Sequence, residues 1–280
     1  MSEEPRIDPH LGTRVHIVAA RQNRPNMPVD GCPFCPGGLE APAPYDSRAF
    51  PNRWPALGPG RCEVILYSPD HDQSLSGLGD LGVRRVVDLW TERTQALRAL
   101  PGVDTVLVFE NRGAEVGATI AHPHGQIYAF DHVPERIARL LASPWCPDTD
   151  PGERGVTMND TWSAWTPHAP VHPVSIVLAP LTPRPDLASL DDGERDDLAR
   201  LLVDVLGRMD RLFDRPLPYM MWIVQAPTSA PDAWMHVEIV SPWRAEGVPR
   251  FIAAAEVATG EYFNPVDPAD VARRLRDVAP

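Results

Sequence analysis

The sequence predicts an α+β fold built from a duplicated unit, with an antiparallel sheet and flanking helices. Three observations carry this. Apolar residues make up 43% of 280, enough for a sizeable core and too many for global disorder. Two long stretches repeat apolar residues at helical spacing. The order strand, helix, strand, loop, strand-edge segment occurs once in each half, the pattern of a duplicated unit. The alternative is one larger α+β domain whose element order repeats by chance. The duplication divides the chain into units 1–150 and 151–280, with Pro134 to Thr161 as a loose connector.

Residues 1–60 read as mostly irregular, with a short strand at Val15 to Ala19. The 33 prolines predict long irregular connections. Cys62 to Tyr67 is apolar and β-branched enough for a strand, and Ser68-Pro69-Asp70-His71 closes it as a turn. Val83, Val86, Val87, Trp90, Leu97 and Leu100 face one side of a helix from Leu81 to Leu100, with Arg93-Thr94 interrupting the pattern. Pro101-Gly102 stops it, and Val103 to Phe109 is the next strand. A glycine-rich loop from Glu110 to Ala121 leads to His122-Pro123-His124-Gly125-Gln126, and Gln126 to Phe130 is again a strand.

In the second half, Val174 to Leu178 is a strand. Leu198, Leu201, Leu202, Val205, Leu206, Met209, Leu212 and Phe213 mark a long helix, whose start Asp191 and Glu194 can close as a capping box. Tyr219 to Val224 and Met235 to Val240 are strands, and period two puts His236 and Glu238 on one face. Helices follow at Phe251 to Ala258 and from Pro268, capped by Asp267.

The formal net charge of -12 argues against non-specific nucleic-acid binding and leaves room for a small anionic substrate in a local basic pocket. Met1 to His10 is polar, so no leader is expected, and no apolar run is long enough for a membrane span. Four cysteines are too few for a disulfide scaffold. Cys62 and Cys146 read as free buried thiols, and the chain reads as cytoplasmic.

Cys32-Pro33-Phe34-Cys35 can be redox-active, metal-binding or incidental. Pro36-Gly37-Gly38 after it is poor helix material, which favours metal over a redox pair. A closed zinc site needs two more ligands, and His71 and His122, in turns beside predicted strands, are the best candidates.

The histidine run suits transfer of a nucleotidyl or phosphoryl group. An imidazole attacks phosphorus and later leaves if one nitrogen is bare and the other holds its proton against a fixed acceptor. Pro123 orients one histidine against the other, Gly125 clears space at the reaction centre, and Gln126 offers an amide donor to a phosphoryl oxygen. Gly113, Gly117 and Thr119 form a donor-rich loop suited to phosphates, with Asn111 and Arg112 beside it. The plainer readings are a histidine pair satisfied in a turn, or both histidines on a metal.

His122-Pro123-His124-Gly125-Gln126 resembles the signature of the galactose-1-phosphate uridylyltransferase family, part of the histidine-triad superfamily. The resemblance covers nearly the whole chain. It includes Val18-x-x-Arg21-x-x-Arg24-Pro25, Cys32 with Cys35, Pro51-Asn52-Arg53-Trp54-Pro55 and Ser68-Pro69-Asp70-His71. It continues through Phe109-Glu110-Asn111-Arg112-Gly113 with Gly117 and Thr119, then Pro218-Tyr219-Met220 and Ala226-Pro227. The resemblance implies duplicated histidine-triad-like units and a homodimer. It implies a ping-pong reaction on UDP-glucose and a hexose 1-phosphate, with His124 as nucleophile and Gln126 holding the phosphoryl group. Cys32, Cys35, His71 and His122 would be zinc ligands, the zinc structural. Asn52 would contact the nucleoside, and Arg21 and Arg24 the nucleotide or its phosphates. Related enzymes acting on ADP-glucose or dinucleoside polyphosphates use the same intermediate, so the motif leaves base and acceptor open. Gln126 in the third position, where hydrolases of the superfamily carry histidine, favours transfer over hydrolysis.

Some members hold a second metal, usually iron, through second-half histidines and a glutamate. The three histidine positions fall near Val224, at His236 and at Glu238, so one ligand is lost and one is changed to a residue that can still ligate, which argues against a full second site. A hydrogen-bonded His236–Glu238 pair, or a pair facing the substrate pocket, is the competing reading. His168 and His172 read as solvent-facing loop histidines.

Overall fold

The computed structural model describes residues 5–23, 31–143, 145–148 and 150–279. In chain order the strands begin with β1 (Arg6–Ile7), β2 (Arg14–Val15), β3 (Arg48–Pro51) and β4 (Cys62–Leu66). Helix α1 (Gly79–Arg98), β5 (Thr105–Arg112), β6 (His124–Phe130) and α2 (Glu135–Ala142) follow. Then come β7 (Gly155–Met158), β8 (Trp162–Trp165), β9 (Val174–Pro180) and α3 (Asp192–Asp210). The chain ends with β10 (Tyr219–Val224), β11 (His236–Ser241), β12 (Trp243–Ala245), β13 (Val248–Pro249), α4 (Ala254–Thr259) and α5 (Pro268–Asp277).

Nine strands form one antiparallel sheet in the order β3-β4-β6-β5-β10-β11-β9-β8-β7. The central pair, β5 and β10, joins four strands from the first half to five from the second. Helices α1 and α3 lie together on one face. Beneath them one apolar core runs from Ile65 and Trp90 to Leu202, Ile239 and Leu275. β6 shows the consequence for the other face. Gly125, Ile127 and Ala129 are buried toward the helices, while His124, Gln126, Tyr128 and Phe130 stay partly exposed, the alternation of a sheet with one covered face.

The helices form for the reasons read from sequence, with one revision. Thr94 does not interrupt α1; it is fully buried on the apolar face, and its hydroxyl accepts from Gln225 Nε2 at 3.5 Å. Arg93 leaves that face to form an ion pair with Glu63. α3 begins at the capping box, in which Glu194 N–H donates to Asp191 and Asp191 N–H donates to Glu194, each at 2.9 Å. Asp267 caps α5 by accepting from Ala269 N–H at 2.8 Å.

Several expectations change. Val15 to Ala19 is not a strand, since only Arg14–Val15 pairs and a 3-10 turn takes over at Ala19–Asn23. The expected loose connector holds α2 and the edge strand β7, and Trp162–Trp165 is a further strand. Cys146 is exposed rather than buried, whereas Cys62 is buried as expected. His168 is exposed, but His172 is half-buried, and burial pushes its pKa down.

Candidate active site and metal cluster

Strand pairing brings the site together. Gln126 pairs with Val64 on one side and Phe109 on the other, and Phe109 pairs with Trp222 of the second half. His124, two residues before Gln126, begins β6 on the same open face.

The four proposed metal ligands converge although 90 residues separate the first from the last: the ligand atoms of Cys32, Cys35, His71 and His122 all lie within 4.8 Å of one another. Cys35 Sγ stands 3.6 Å from Nδ1 of both His71 and His122. A tetrahedral zinc with sulfur at ~2.3 Å and nitrogen at ~2.05 Å sets S···N near ~3.6 Å, so the cluster fits that ion. Burial, and then the neighbouring Cys32, push the Cys35 thiol up, so the two sulfurs need a cation to be thiolates together. Phe34 N–H points at Cys32 Sγ from 3.4 Å. Gly38 closes the turn, because a side-chain carbon there would sit 2.6 Å from the Cys32 and Pro33 carbonyl oxygens. At Gly37 the constraint is instead its φ of 86°, in the left-handed region.

His122 is held at both ring nitrogens. Its Nδ1 faces the cluster, and its Nε2–H lies 2.8 Å from the Ser68 carbonyl and 2.9 Å from the Tyr45 hydroxyl oxygen. Tyr45 has one proton to give onward, and its hydroxyl oxygen lies 2.6 Å from the Phe34 carbonyl and 3.0 Å from that of Ser68. Hydrogen bonds behind a ligand fix its tautomer and ring angle. Burial lowers the His122 pKa against the opposing Ser68 contact, which favours the neutral ring a metal requires. Nothing in the sequence marks Tyr45 for this role; it lies in an irregular segment, 77 residues before His122.

The His122 carbonyl does the next task. It accepts from His124 Nδ1 at 2.7 Å. A carbonyl cannot donate, so the proton of a neutral ring sits on Nδ1 and the lone pair on Nε2. Gln126 is oriented from its oxygen side: Asn52 Nδ2 donates to Gln126 Oε1 at 3.1 Å and the Tyr128 hydroxyl at 3.4 Å. That leaves the amide N–H pair as the end that can meet an anion. Asn52 is itself fixed, its Oδ1 accepting Trp54 N–H at 2.8 Å.

The remaining predicted residues divide. Asn111 lies on β5 two residues past Phe109, on the same open face. Gly113 and Gly117 adopt φ of 100° and 87°, the left-handed region glycine favours. The loop between them spends three N–H groups on itself: Val116 and Ala118 donate to Gly113 and Gly117 donates to Ala114. Those three do not face a phosphate, which leaves Thr119, half-buried beyond the turn, as the loop residue to consider. Arg112 also turns away, forming an ion pair with Asp210 at 2.6 Å and lying over the Tyr219 ring. Arg21 is half-buried in the Ala19–Asn23 turn, close enough for its charge to act on Cys62 beside the open face. Arg24 lies outside the described residues.

On the covered face of β6, a Cβ on Gly125 would collide with the Tyr67 hydroxyl and lie 3.1 Å from the Phe109 carbonyl oxygen. Next to Tyr67 is Glu110, 4% exposed, which accepts the Tyr219 hydroxyl at 2.9 Å. Burial pushes Glu110 up to about 7, against the Tyr219 hydrogen bond and the charge of Arg112.

Known proteins place the arrangement in a family. Residues 46–134 match the family description "Galactose-1-phosphate uridyl transferase, N-terminal domain", and residues 120–262 match the C-terminal domain. Galactose-1-phosphate uridylyltransferase of Thermotoga maritima is 34% identical over 98% of both chains. ADP-glucose phosphorylase of Arabidopsis thaliana is 25% identical over 99% of this chain and 93% of its own. A solved uridylyltransferase structure superposes with a TM-score of 0.89 at 27% identity, covering 99% of this chain and 98% of that one. The histidine run of this chain, its cysteine–histidine cluster and these full-length matches agree: the chain belongs to the galactose-1-phosphate uridylyltransferase family.

Proposed function

We propose that this protein is a UDP-glucose–hexose-1-phosphate uridylyltransferase working by a ping-pong mechanism through a uridylyl-His124 intermediate. The observation that carries the reading is the 2.7 Å hydrogen bond from His124 Nδ1 to the His122 carbonyl, which puts the lone pair on Nε2. In the first half-reaction Nε2 bonds to the α-phosphorus of UDP-glucose while the bond from that phosphorus to the bridging oxygen breaks, and glucose 1-phosphate leaves. In the second, a phosphate oxygen of galactose 1-phosphate bonds to the phosphorus, the N–P bond breaks, and UDP-galactose leaves. The His122 carbonyl supports the positive charge that the ring gains on attack. The Gln126 amide, held by Asn52, donates to a non-bridging oxygen. Asn52, Asn111, Thr119, Arg21 and Arg24 are assigned to nucleotide contact, while Gly117, whose N–H turns back to Ala114, shapes the loop that carries Thr119.

Cys32, Cys35, His71 and His122 would hold zinc, whose contribution is structural: it would clamp the His122 ring and so the carbonyl that orients His124. We assign the active form to a homodimer. The exposed Phe251, Val257 and Phe263 around α4 supply an apolar face for the contact. No helix among the described residues is long and apolar enough to cross a membrane, and the free thiols suit the cytoplasm.

The test is intact mass after incubation with UDP-glucose or with ADP-glucose. The reading expects a uridylyl adduct that galactose 1-phosphate discharges, and none on His124→Gly. An adenylyl adduct discharged by inorganic phosphate would instead support the activity named for the Arabidopsis relative. No adduct with either donor would refute the covalent mechanism.

A further inference from the structure

The two halves of the sheet correspond strand for strand about the central pair. Outward from β5 come β6 and β4, and outward from β10 come β11 and β9. The register makes the correspondence residue-specific. Phe109 pairs with Gln126 and Gln126 with Val64; Trp222 pairs with Glu238 and Glu238 with Val177. His236-x-Glu238 is therefore the counterpart of His124-x-Gln126.

The surroundings differ in every respect that matters to chemistry. His236 is buried, and its Nδ1 has no partner among the described residues, whereas His124 Nδ1 is fixed by a carbonyl. Trp145 stacks on the His236 ring, centroids 4.0 Å apart and planes 24° apart. His236 Nε2 faces Glu238 Oε1 at 3.3 Å. Glu238 also takes Arg136 Nη1 and Nη2 on its two oxygens at 2.7 and 2.8 Å, and Trp222 Nε1 at 3.1 Å. The Arg136 guanidinium lies over the Trp222 ring, 5.3 Å from its centroid.

This does not fit the second metal that some family members carry. Val224, which pairs with His236, offers no ligand atom. Both Glu238 oxygens are engaged by an organic cation. Among the described residues, Cys32, Cys35, His71 and His122 are the one His, Cys or carboxylate group gathered closely enough for an ion.

We propose that the His236–Glu238 strand end is a metal-independent anchor for the segment joining the two halves, with Arg136 supplying the positive charge. Arg136 lies on α2, and Trp145 lies just beyond it, so the segment grips the disarmed motif at two points. Burial alone would raise the Glu238 pKa; the hydrogen bonds from His236 and Arg136 overcome it and hold the carboxylate near about 2, charged throughout the working range.

Two measurements test the anchor, and neither uses substrate, so they stand apart from the donor and acceptor proposed above. The first is metal content after incubation with ferrous iron or zinc and desalting. The anchor expects about one equivalent per chain, lost in Cys32→Ser/Cys35→Ser. A second equivalent that disappears in His236→Ala overturns it. The second is a thermal double-mutant cycle, which needs only the full chain. Arg136→Met and Glu238→Gln should each lower the midpoint by about 2–4 °C, toward the low end because the Arg136 side chain is 57% exposed. The double variant should fall no further than the worse single one. Additive losses, or an unchanged midpoint in Arg136→Met, would overturn the pairing even if the metal count agreed.

Discussion

Replacing Glu110 by glutamine should make the protein gain stability relative to wild type as pH rises. Glu110 is buried on β5 beside β6, with Tyr219 donating to one oxygen and with Arg112, whose charge acts on it, already paired with Asp210. Burial dominates and lifts its pKa from 4.5 to about 7. The folded chain thus keeps a proton that the unfolded chain releases above about 4.5. A raised folded-state pKa contributes stability that is complete below the unfolded value and is lost as pH climbs through the folded one. The full loss is the shift of about 2.5 units at ~1.36 kcal/mol each, or roughly 3 kcal/mol, of which about 2.5 falls between pH 5 and pH 8. Glu110→Gln keeps the shape and the acceptor for Tyr219 but cannot ionise. Urea unfolding of both proteins at half-unit steps from pH 5 to 8 gives the difference directly. Protonation of the cysteine and histidine cluster occurs in both and cancels. A difference that stays flat across this range would show that Glu110 titrates outside it, and the burial argument would fail.

Three further outcomes follow from the site. Gly125→Ala should cost about 1–3 kcal/mol and lower turnover, because its methyl meets Tyr67 and the Phe109 carbonyl; adding Tyr67→Phe should restore part of both losses, and no recovery would mean Tyr67 is not the obstacle. Cys32→Ser should lower zinc content and the thermal midpoint together, measured by elemental analysis and calorimetry, and a full metal complement would remove Cys32 from the ligand set. Asn52→Ala releases Gln126 Oε1 from a 3.1 Å donor, so adduct formation in a single turnover should slow by about 10-fold, the ~1.4 kcal/mol expected of one hydrogen bond to the phosphoryl-binding amide; an unchanged rate would show that Tyr128 alone holds the amide.

Much of this was legible because it depends on local pattern. The face of α1, the Asp191–Glu194 box and the Asp267 cap are set by neighbours within a turn or two. The illegible parts depend on partners far along the chain. Arg112 and Thr119 look alike as loop polar residues, and only α3, bringing Asp210 from 98 residues away, takes Arg112 out of the site. Arg136 and Glu238 meet across 102 residues, so neither reads as a partner of the other. β7 was hidden for another reason: it is a four-residue edge strand in a connector rich in proline, with too short an alternation to stand out. Tyr45 lacks any periodic context, so its link to His122 needs the fold.

Along extended backbone, side chains two residues apart share a face, so His124 and Gln126 both lie on the open face of the sheet. His122 stands two residues before the start of β6, and this lets it serve two ends at once: its ring reaches Cys35 while its carbonyl reaches His124 Nδ1. Pro123 suits the position between them because its fixed φ holds that carbonyl in place. Its own carbonyl still accepts Tyr67 N–H at 3.3 Å, tying the segment to β4. Inserting or deleting one residue would turn His124 toward the helices, where Gly125 now sits against Tyr67 and no side chain fits. The proposed nucleophile, the carbonyl that orients its ring and the proposed metal ligand therefore fall within three residues, His122 to His124, and the second half has no such histidine before His236.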